Sequence, residues 1–191
     1  NINRKNTNLK FFEFGKTYHS AGTGLYKEND HLCVYITGNR TAASWRDKAQ
    51  VSDTYYLKGI VAGIIQLVGF ADIGWAKVSD NKLEHAFEMW VKNEPVVRAG
   101  NVKKQELSRF DIKQPVLFAS FDWKVLETLI GANSIQITEL PKQLPVYRDL
   151  AMVVPKSLPY ESVENCLRST GIDKLKEIKL FDIFESEKLG I

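Results

Sequence analysis

The stretch Leu9-Lys-Phe-Phe-Glu-Phe-Gly-Lys-Thr-Tyr18, followed after a polar interval by His31-Leu-Cys-Val-Tyr-Ile-Thr37, decides the fold class. Both runs are rich in aromatic or β-branched residues and alternate in part, which is the signature of strands. In the second, Leu32, Val34 and Ile36 fall on one face and His31, Cys33 and Tyr35 on the other. Residues 21–30, Ala-Gly-Thr-Gly-Leu-Tyr-Lys-Glu-Asn-Asp, read as a loop from their Gly, Asn and Asp content. The two strands therefore predict an antiparallel hairpin.

Working outward, the next segment is helical. Ser52 or Asp53 is placed to cap it, apolar positions recur at Leu57, Ile60, Val61, Ile64, Leu67 and Val68, and Gly69 stops it. Gly59 and Gly63 lie one turn apart, a spacing that suits close packing against a sheet or the close approach of a helix or ligand. Packing is the simpler reading. Short strand-like runs follow at 74–78, 86–91, 95–102 and 116–121, with short helices at 103–109 and 123–130, the latter capped by Asp122. An antiparallel sheet layered with helices, an α+β architecture, is the expectation.

Pro141 and Pro145 mark a change of unit, since proline removes a ladder donor and stiffens the chain. We place the boundary between residues 133 and 147. Beyond it, residues 149–154 read as a strand, 160–169 as a helix with Gly171 behind it, and 175–184 as a second strand. In that last strand Ile178, Leu180, Asp182 and Phe184 share one face, while Lys179, Phe181 and Ile183 share the other. Two strands and one helix bury too little to stand alone. The unit is expected to continue past Ile191 or to lean on the first.

Composition narrows the function classes. The 191 residues are 44% hydrophobic and 26% charged, which excludes wholesale disorder and low-complexity classes. The longest weakly charged run, residues 59–75, is interrupted by Gln66 and Asp72 and is too short to span a bilayer. Nothing apolar follows the basic residues near Asn1, so no secretory signal is read. The missing initial Met and the ending Leu189-Gly-Ile191 predict that both ends lie inside a longer protein. Cys33 and Cys166 lack local partners, which predicts a reducing compartment, the cytoplasm by default. The net charge of +3 is too mild for affinity that rests mainly on counterion release.

The chain offers little that points to catalytic chemistry. His31 and Cys33 share a strand face, but no second pair has zinc-like spacing, so no metal site is predicted. Gly22-Thr23-Gly24 lacks the Lys-Ser/Thr that a phosphate loop carries and reads as a turn. No nucleophile elbow is present, although a triad assembled in space is not visible from sequence. Glu13, Asp47 and Asp53 are candidates to pair with Arg40, Arg46 or Lys48 in an ion network. Arg4, Lys5 and Lys10 make the N-terminal segment basic, which reads as a solvated loop. In the last unit, an open sheet face is a common platform for single-stranded RNA. There Phe184 offers a stacking surface, Asp182 an acceptor for a base edge, and Ala151 room for a base to approach. Burial of Phe184 in a core is the equal alternative from sequence alone.

The run Leu140-Pro-Lys-Gln-Leu-Pro-Val-Tyr-Arg-Asp-Leu-Ala-Met-Val-Val154, with Tyr160-Glu161 and Leu180-Phe-Asp-Ile-Phe184, resembles the ferredoxin-fold anticodon-binding domain that ends the beta subunit of bacterial phenylalanine-tRNA ligases. Upstream, Asn3-Arg-Lys-Asn-Thr-Asn8, Phe11-Phe-Glu-Phe-Gly-Lys16, Ser44-Trp-Arg-Asp-Lys48 and Tyr56-Leu-Lys-Gly59 resemble that subunit's catalytic-like module. The resemblance covers essentially the whole chain in family order.

It implies a class II synthetase-like antiparallel sheet with helices over residues 1–138, inactive, and an incomplete ferredoxin-like (βαββαβ) domain over residues 139–191. Active class II enzymes carry an arginine followed two residues later by an acid, and a Gly-rich segment ending in arginine. Here Arg4 is followed by Lys5 and Asn6, and the surroundings of Gly100 read Val97-Arg-Ala-Gly-Asn-Val102. The resemblance therefore implies no catalytic residue in this chain and no cofactor bound by it. In the family, ATP and Mg2+ serve the intact ATP-dependent aminoacyl-tRNA ligase, whose alpha subunit joins the beta subunit in an (αβ)2 heterotetramer. An editing site and further tRNA-binding domains would precede Asn1. By likeness Ala151, Asp182 and Phe184 face the anticodon of phenylalanine tRNA, with Tyr147, Arg148 and Val153 as looser matches. The alternative is a free-standing RNA-binding or assembly module.

Overall fold

The computed structural model describes residues 6–132 and 144–184. Arg4, Lys5, Pro141 and most of the region assigned to the unit boundary lie outside the described residues. The chain divides into two compact units, Asn1–Ile137 and Thr138–Ile191.

The first unit is built on a six-stranded antiparallel sheet. Its strands are β1 (Leu9–Gly22), β2 (Leu25–Thr37), β5 (Gly74–Lys77), β6 (Leu83–Val91), β7 (Glu94–Val102) and β8 (Val116–Asp122). They lie in the order β1-β2-β8-β7-β6-β5. Two short strands, β3 (Asn39–Thr41) and β4 (Gln50–Val51), make a separate ladder. Helices α1 (Thr54–Leu67), α2 (Lys104–Ser108) and α3 (Trp123–Gly131) complete the unit.

The predicted hairpin forms, but residues 25–30 are strand rather than loop. The turn shrinks to the neighbourhood of Gly22 and Gly24, whose φ angles of 144° and 78° suit glycine. Polar composition misled because this arm is solvated and draws its support from across the ladder. Lys16 Nζ lies 3.0 Å from Glu28 Oε2 and 3.5 Å from Asp30 Oδ1. The Glu28 hydrogen bond, with the charge of Asp30, raises the Lys16 pKa.

Alternation in β2 acts as expected. Leu32, Val34 and Ile36 are buried, together with Leu117, Ala119 and Phe121 of β8, Val97 and Ala99 of β7, and Phe87, Met89 and Val91 of β6. This face is covered by α1 and α3, through Leu57, Val61, Ile65 and Leu126. On α1 the buried stripe is Leu57, Val61 and Ile65, at a spacing of four, whereas Leu67 is 88% exposed. Gly59 and Gly63 do not serve packing, because an added Cβ at either would meet nothing within 4 Å.

Asp53 is the N-cap of α1, its Oδ1 accepting from the Tyr56 N–H at 2.7 Å. Asp53→Ala is expected to cost about 1 kcal/mol, read as a lower urea midpoint, with Asp53→Asn close to the parent. Gly100 is required by tertiary structure. A Cβ there would sit 2.9 Å from Glu84 O and 3.1 Å from Ala86 Cα, where β6 bulges between Glu84 and Phe87. Its glycine fits the bulge without any need for a bound phosphate.

The second unit contains one described helix, α4 (Tyr160–Ser169). Residues 149–154 and 175–184, expected as strands, form no ladder among the described residues. A strand exists only through a partner, and alternation alone does not supply one. In a βαββαβ plan the second half of the sheet provides those partners, and no such strand is found among the described residues.

Candidate nucleic-acid interface

Helix α4 organises the second unit locally. Pro159 precedes it without a side-chain cap, and Leu158 and Ser162 donate their N–H groups to Pro155 O and Pro159 O. Tyr160, Val163, Glu164 and Leu167, at helical spacing, are its less exposed positions. Arg168 Nη2 lies 2.6 Å from Glu164 Oε1, one turn earlier. Thr170 donates its hydroxyl to Leu167 O at 2.6 Å, and Gly171 ends the helix at φ 72°.

The six anticipated site residues flank this helix in sequence and are all exposed. Tyr147, Val153 and Phe184 are 79%, 70% and 77% accessible; Arg148, Ala151 and Asp182 are exposed as well. Arg148 Nη1 donates to the Tyr147 carbonyl at 2.9 Å. No ladder joins the segment of Ala151 to that of Asp182 and Phe184 among the described residues. Phe184 is an open aromatic surface, and nearly every described residue of this unit is exposed as well. Phe181 and Ile183, assigned to the other face, are equally open, so exposure alone does not choose between the faces.

In the first unit, the sheet face opposite the core carries a polar row that becomes visible only once the registers are known. Glu13 pairs with Cys33, Cys33 with Ser120, Ser120 with Arg98, and Arg98 with Glu88. Arg98 Nη2 meets Glu88 Oε1 at 2.5 Å, and Arg98 Nη1 lies 3.6 Å from Asp80 Oδ2. The Glu88 hydrogen bond, with the charges of Glu88 and Asp80, raises the Arg98 pKa. Its charge is thus committed. Beside it, Ser120 Oγ lies 3.4 Å from His31 Nδ1, and His31 Nε2 lies 2.9 Å from Thr17 Oγ1. The imidazole is held between two hydroxyls. Asp122 stands opposite His31 in register, but its Oδ1 accepts from Val125 N–H as the cap of α3. The orienting carboxylate of a triad is missing from this group.

His31 and Cys33 both lie beside Ser120. Cys33 Sγ lies 3.9 Å from Ser120 Oγ, and no group of three or more His, Cys, Asp or Glu suited to a metal occurs among the described residues. The expected ion network around Ser44-Trp-Arg-Asp-Lys48 does not form among the described residues. Asp53 caps a helix, while Lys10 and Arg40 lie over the ring of Tyr56, 5.3 and 5.7 Å from its centroid. The polarizable ring holds these cations in place of the carboxylates. No described helix is long and apolar enough to cross a membrane.

Comparison with known proteins agrees with this two-unit order. Residues 1–123 match the family described as phenylalanyl tRNA synthetase beta chain CLM domain, and residues 141–190 match the ferredoxin-fold anticodon binding domain. The chain is 32% identical over 200 residues to the phenylalanine–tRNA ligase beta subunit of Bacteroides thetaiotaomicron, covering 99% of this chain and 24% of that protein. The corresponding subunits of Bacteroides fragilis and Porphyromonas gingivalis are 31% identical over 200 residues and 30% over 201, with the same shares covered. The chain thus spans about a quarter of the length of the curated relatives it matches. A pyrrolysyl-tRNA synthetase from Desulfitobacterium hafniense aligns at a TM-score of 0.48 and 13% identity, over 65% of this chain and 42% of that one. With one family match covering most of the first unit and a second covering most of the second unit in the same order, the chain belongs to the phenylalanyl-tRNA synthetase beta-chain family.

Proposed function

We propose that this chain is a noncatalytic part of a cytoplasmic phenylalanine-tRNA ligase beta subunit. Residues 1–138 support assembly with the alpha subunit in an (αβ)2 heterotetramer, and residues 139–191 contact the anticodon of phenylalanine tRNA. The observation that carries this reading is the succession of the CLM and anticodon-binding matches along one chain. Residue chemistry and family likeness, not exposure, single out Ala151, Asp182, Phe184, Tyr147, Arg148 and Val153 in this reading. Phe184 would stack on an anticodon base, Asp182 would accept from its edge, and Ala151 would leave room for it.

The intact ligase uses ATP and Mg2+, and their binding falls to the rest of the enzyme. On the open sheet face of the first unit, Arg98 is held by Glu88 and Asp80 and is not free to meet a triphosphate. A hard cation needs several oxygen donors together, and the described residues offer no such group. What the chain contributes is position. Holding the anticodon at a fixed distance from the acceptor end turns encounter of the tRNA with activated amino acid into an effectively intramolecular event.

Isothermal titration of this chain with ATP and with phenylalanine is expected to give no saturable heat, while labelled phenylalanine tRNA binds. Saturable binding of ATP or phenylalanine would return the first unit to the enzyme class. Failure to bind phenylalanine tRNA in preference to a tRNA with a substituted anticodon would remove the anticodon reading.

A further inference from the structure

The segment 42–49 is a loop closed at its base and open at its tip. Its base is the β3–β4 ladder, in which Asn39 pairs with Val51 and Thr41 with Gln50. Ser52 N–H donates to Gly38 O, and Asn39 N–H to Asn8 Oδ1, each at 2.9 Å. Gly38 is needed there, with φ 81° and a Cβ position 2.3 Å from Thr7 O. At the tip, Ser44 Oγ accepts from the N–H groups of Arg46 (3.2 Å) and Asp47 (2.9 Å), and Ser44 N–H donates to Asp47 O at 2.9 Å.

This turn presents Trp45 to solvent at 96% accessibility, whereas Trp75, Trp90 and Trp123 are partly buried. So large an apolar ring left uncovered marks a contact surface, since tryptophan is ordinarily among the most buried side chains by area. Arg46 and Lys48 flank it without an ion pair among the described residues, and Asp47 is the only acid of the loop. At its base stand two more cations, Lys10 and Arg40, both over Tyr56. In protein interface cores Trp and Arg are enriched and lysine is depleted, so Lys48 is the loop residue that favours a nucleic acid over a protein partner. An open aromatic ring beside two uncommitted cations, Arg46 and Lys48, has the chemistry of a single-stranded nucleic-acid contact, with a base on the ring and phosphates on the charges.

We propose that the Trp45 loop is a second RNA contact of this chain, on its first unit, in which Trp45 stacks on an unpaired base and Arg46 and Lys48 meet the adjoining phosphates. The physiological ligand would be an unpaired segment of tRNA, which rests on the functional reading above; the contact itself rests on the loop.

The test uses the 191-residue chain and a fluorescent twelve-nucleotide uridine RNA, with binding followed by anisotropy across a salt series and Trp45 followed by acrylamide quenching. Trp45→Ala is expected to weaken binding about tenfold, and Trp45→Phe to keep most of it. Arg46→Gln with Lys48→Gln is expected to reduce the slope of log affinity against log salt by about 1.4, two phosphate contacts on a single strand. Bound RNA should shield a quenchable tryptophan in the parent and in Trp45→Phe should not. Affinity within twofold of the parent in Trp45→Ala, with an unchanged salt slope in the double variant, overturns the proposal. So does shielding of Trp45 by an added alpha subunit and not by RNA, which would make the loop a protein contact. Asp182→Ala with Phe184→Ala should leave the Trp45-dependent part of binding in place, so the two RNA contacts stand or fall separately.

Discussion

Phe121→Ala is expected to destabilise the first unit by about 3 to 5 kcal/mol, the cost of emptying a large aromatic site in a sealed core. Phe121 is fully buried on β8, opposite Leu32 of β2 and Val97 of β7. It therefore sits where the middle strands of the sheet meet the layer formed by α1 and α3. A domain commonly holds only about 5 to 15 kcal/mol in total, so the loss removes a large share of the folded state. Urea denaturation followed by circular dichroism checks this. Phe121→Leu, which refills most of the volume, should recover the greater part of the midpoint. A midpoint for Phe121→Ala within experimental scatter of the parent would show that the core is not sealed as described.

Asp182→Ala and Phe184→Ala, placed in the whole ligase, are each expected to raise KM for phenylalanine tRNA by about tenfold, the value of one lost base contact or stack. Phenylalanine-dependent ATP–pyrophosphate exchange should stay unchanged, because that half-reaction needs no tRNA. This split separates an RNA-contacting role from a structural one, in which both reactions would fall with the amount of folded enzyme. Phe184 and Asp182 are exposed, so neither substitution removes a buried contact in this chain. Phe181→Ala is the matching control on the other face and should leave KM within about twofold, the ordinary scatter for a surface change. Unchanged tRNA kinetics in both site variants would sink the assignment of Asp182 and Phe184.

Reading the elements from sequence succeeded where the signal is local. Asp122 was legible as a cap, and the first cap was narrowed to Ser52 or Asp53, because a side-chain oxygen ahead of an amphipathic run satisfies N–H groups that the helix leaves free. Leu32, Val34 and Ile36 were legible as core because alternation assigns one face at a time. The reading failed where support comes from afar. Residues 25–30 look like a loop, yet β1 pairs with them and Lys16 meets Glu28 and Asp30 across the ladder. Gly59 and Gly63 look like packing positions and face open space. Arg40 looks like a partner for carboxylates and Lys10 like part of a solvated loop, and both lie over the ring of Tyr56.

For the site, residue type and family likeness could single out Ala151, Asp182 and Phe184, and no pattern in the chain could reveal whether Phe184 is core or surface. Its exposure came from the structure, as did the row from Glu13 to Glu88, which joins residues 75 positions apart through strand registers. The sequence by itself determined the α+β class, the helix boundaries of the first unit, the two-unit order and the family. Those properties follow from capping chemistry, side-chain periodicity and motif order, all carried by neighbours along the chain. Only the tertiary structure decided that Arg98 is committed to Glu88 and Asp80, that His31 lies between hydroxyls, and that Trp45 stands uncovered. Register, ion pairing and exposure are relations between distant segments, and they come into being only when the sheet closes its ladders and the helices cover one of its faces.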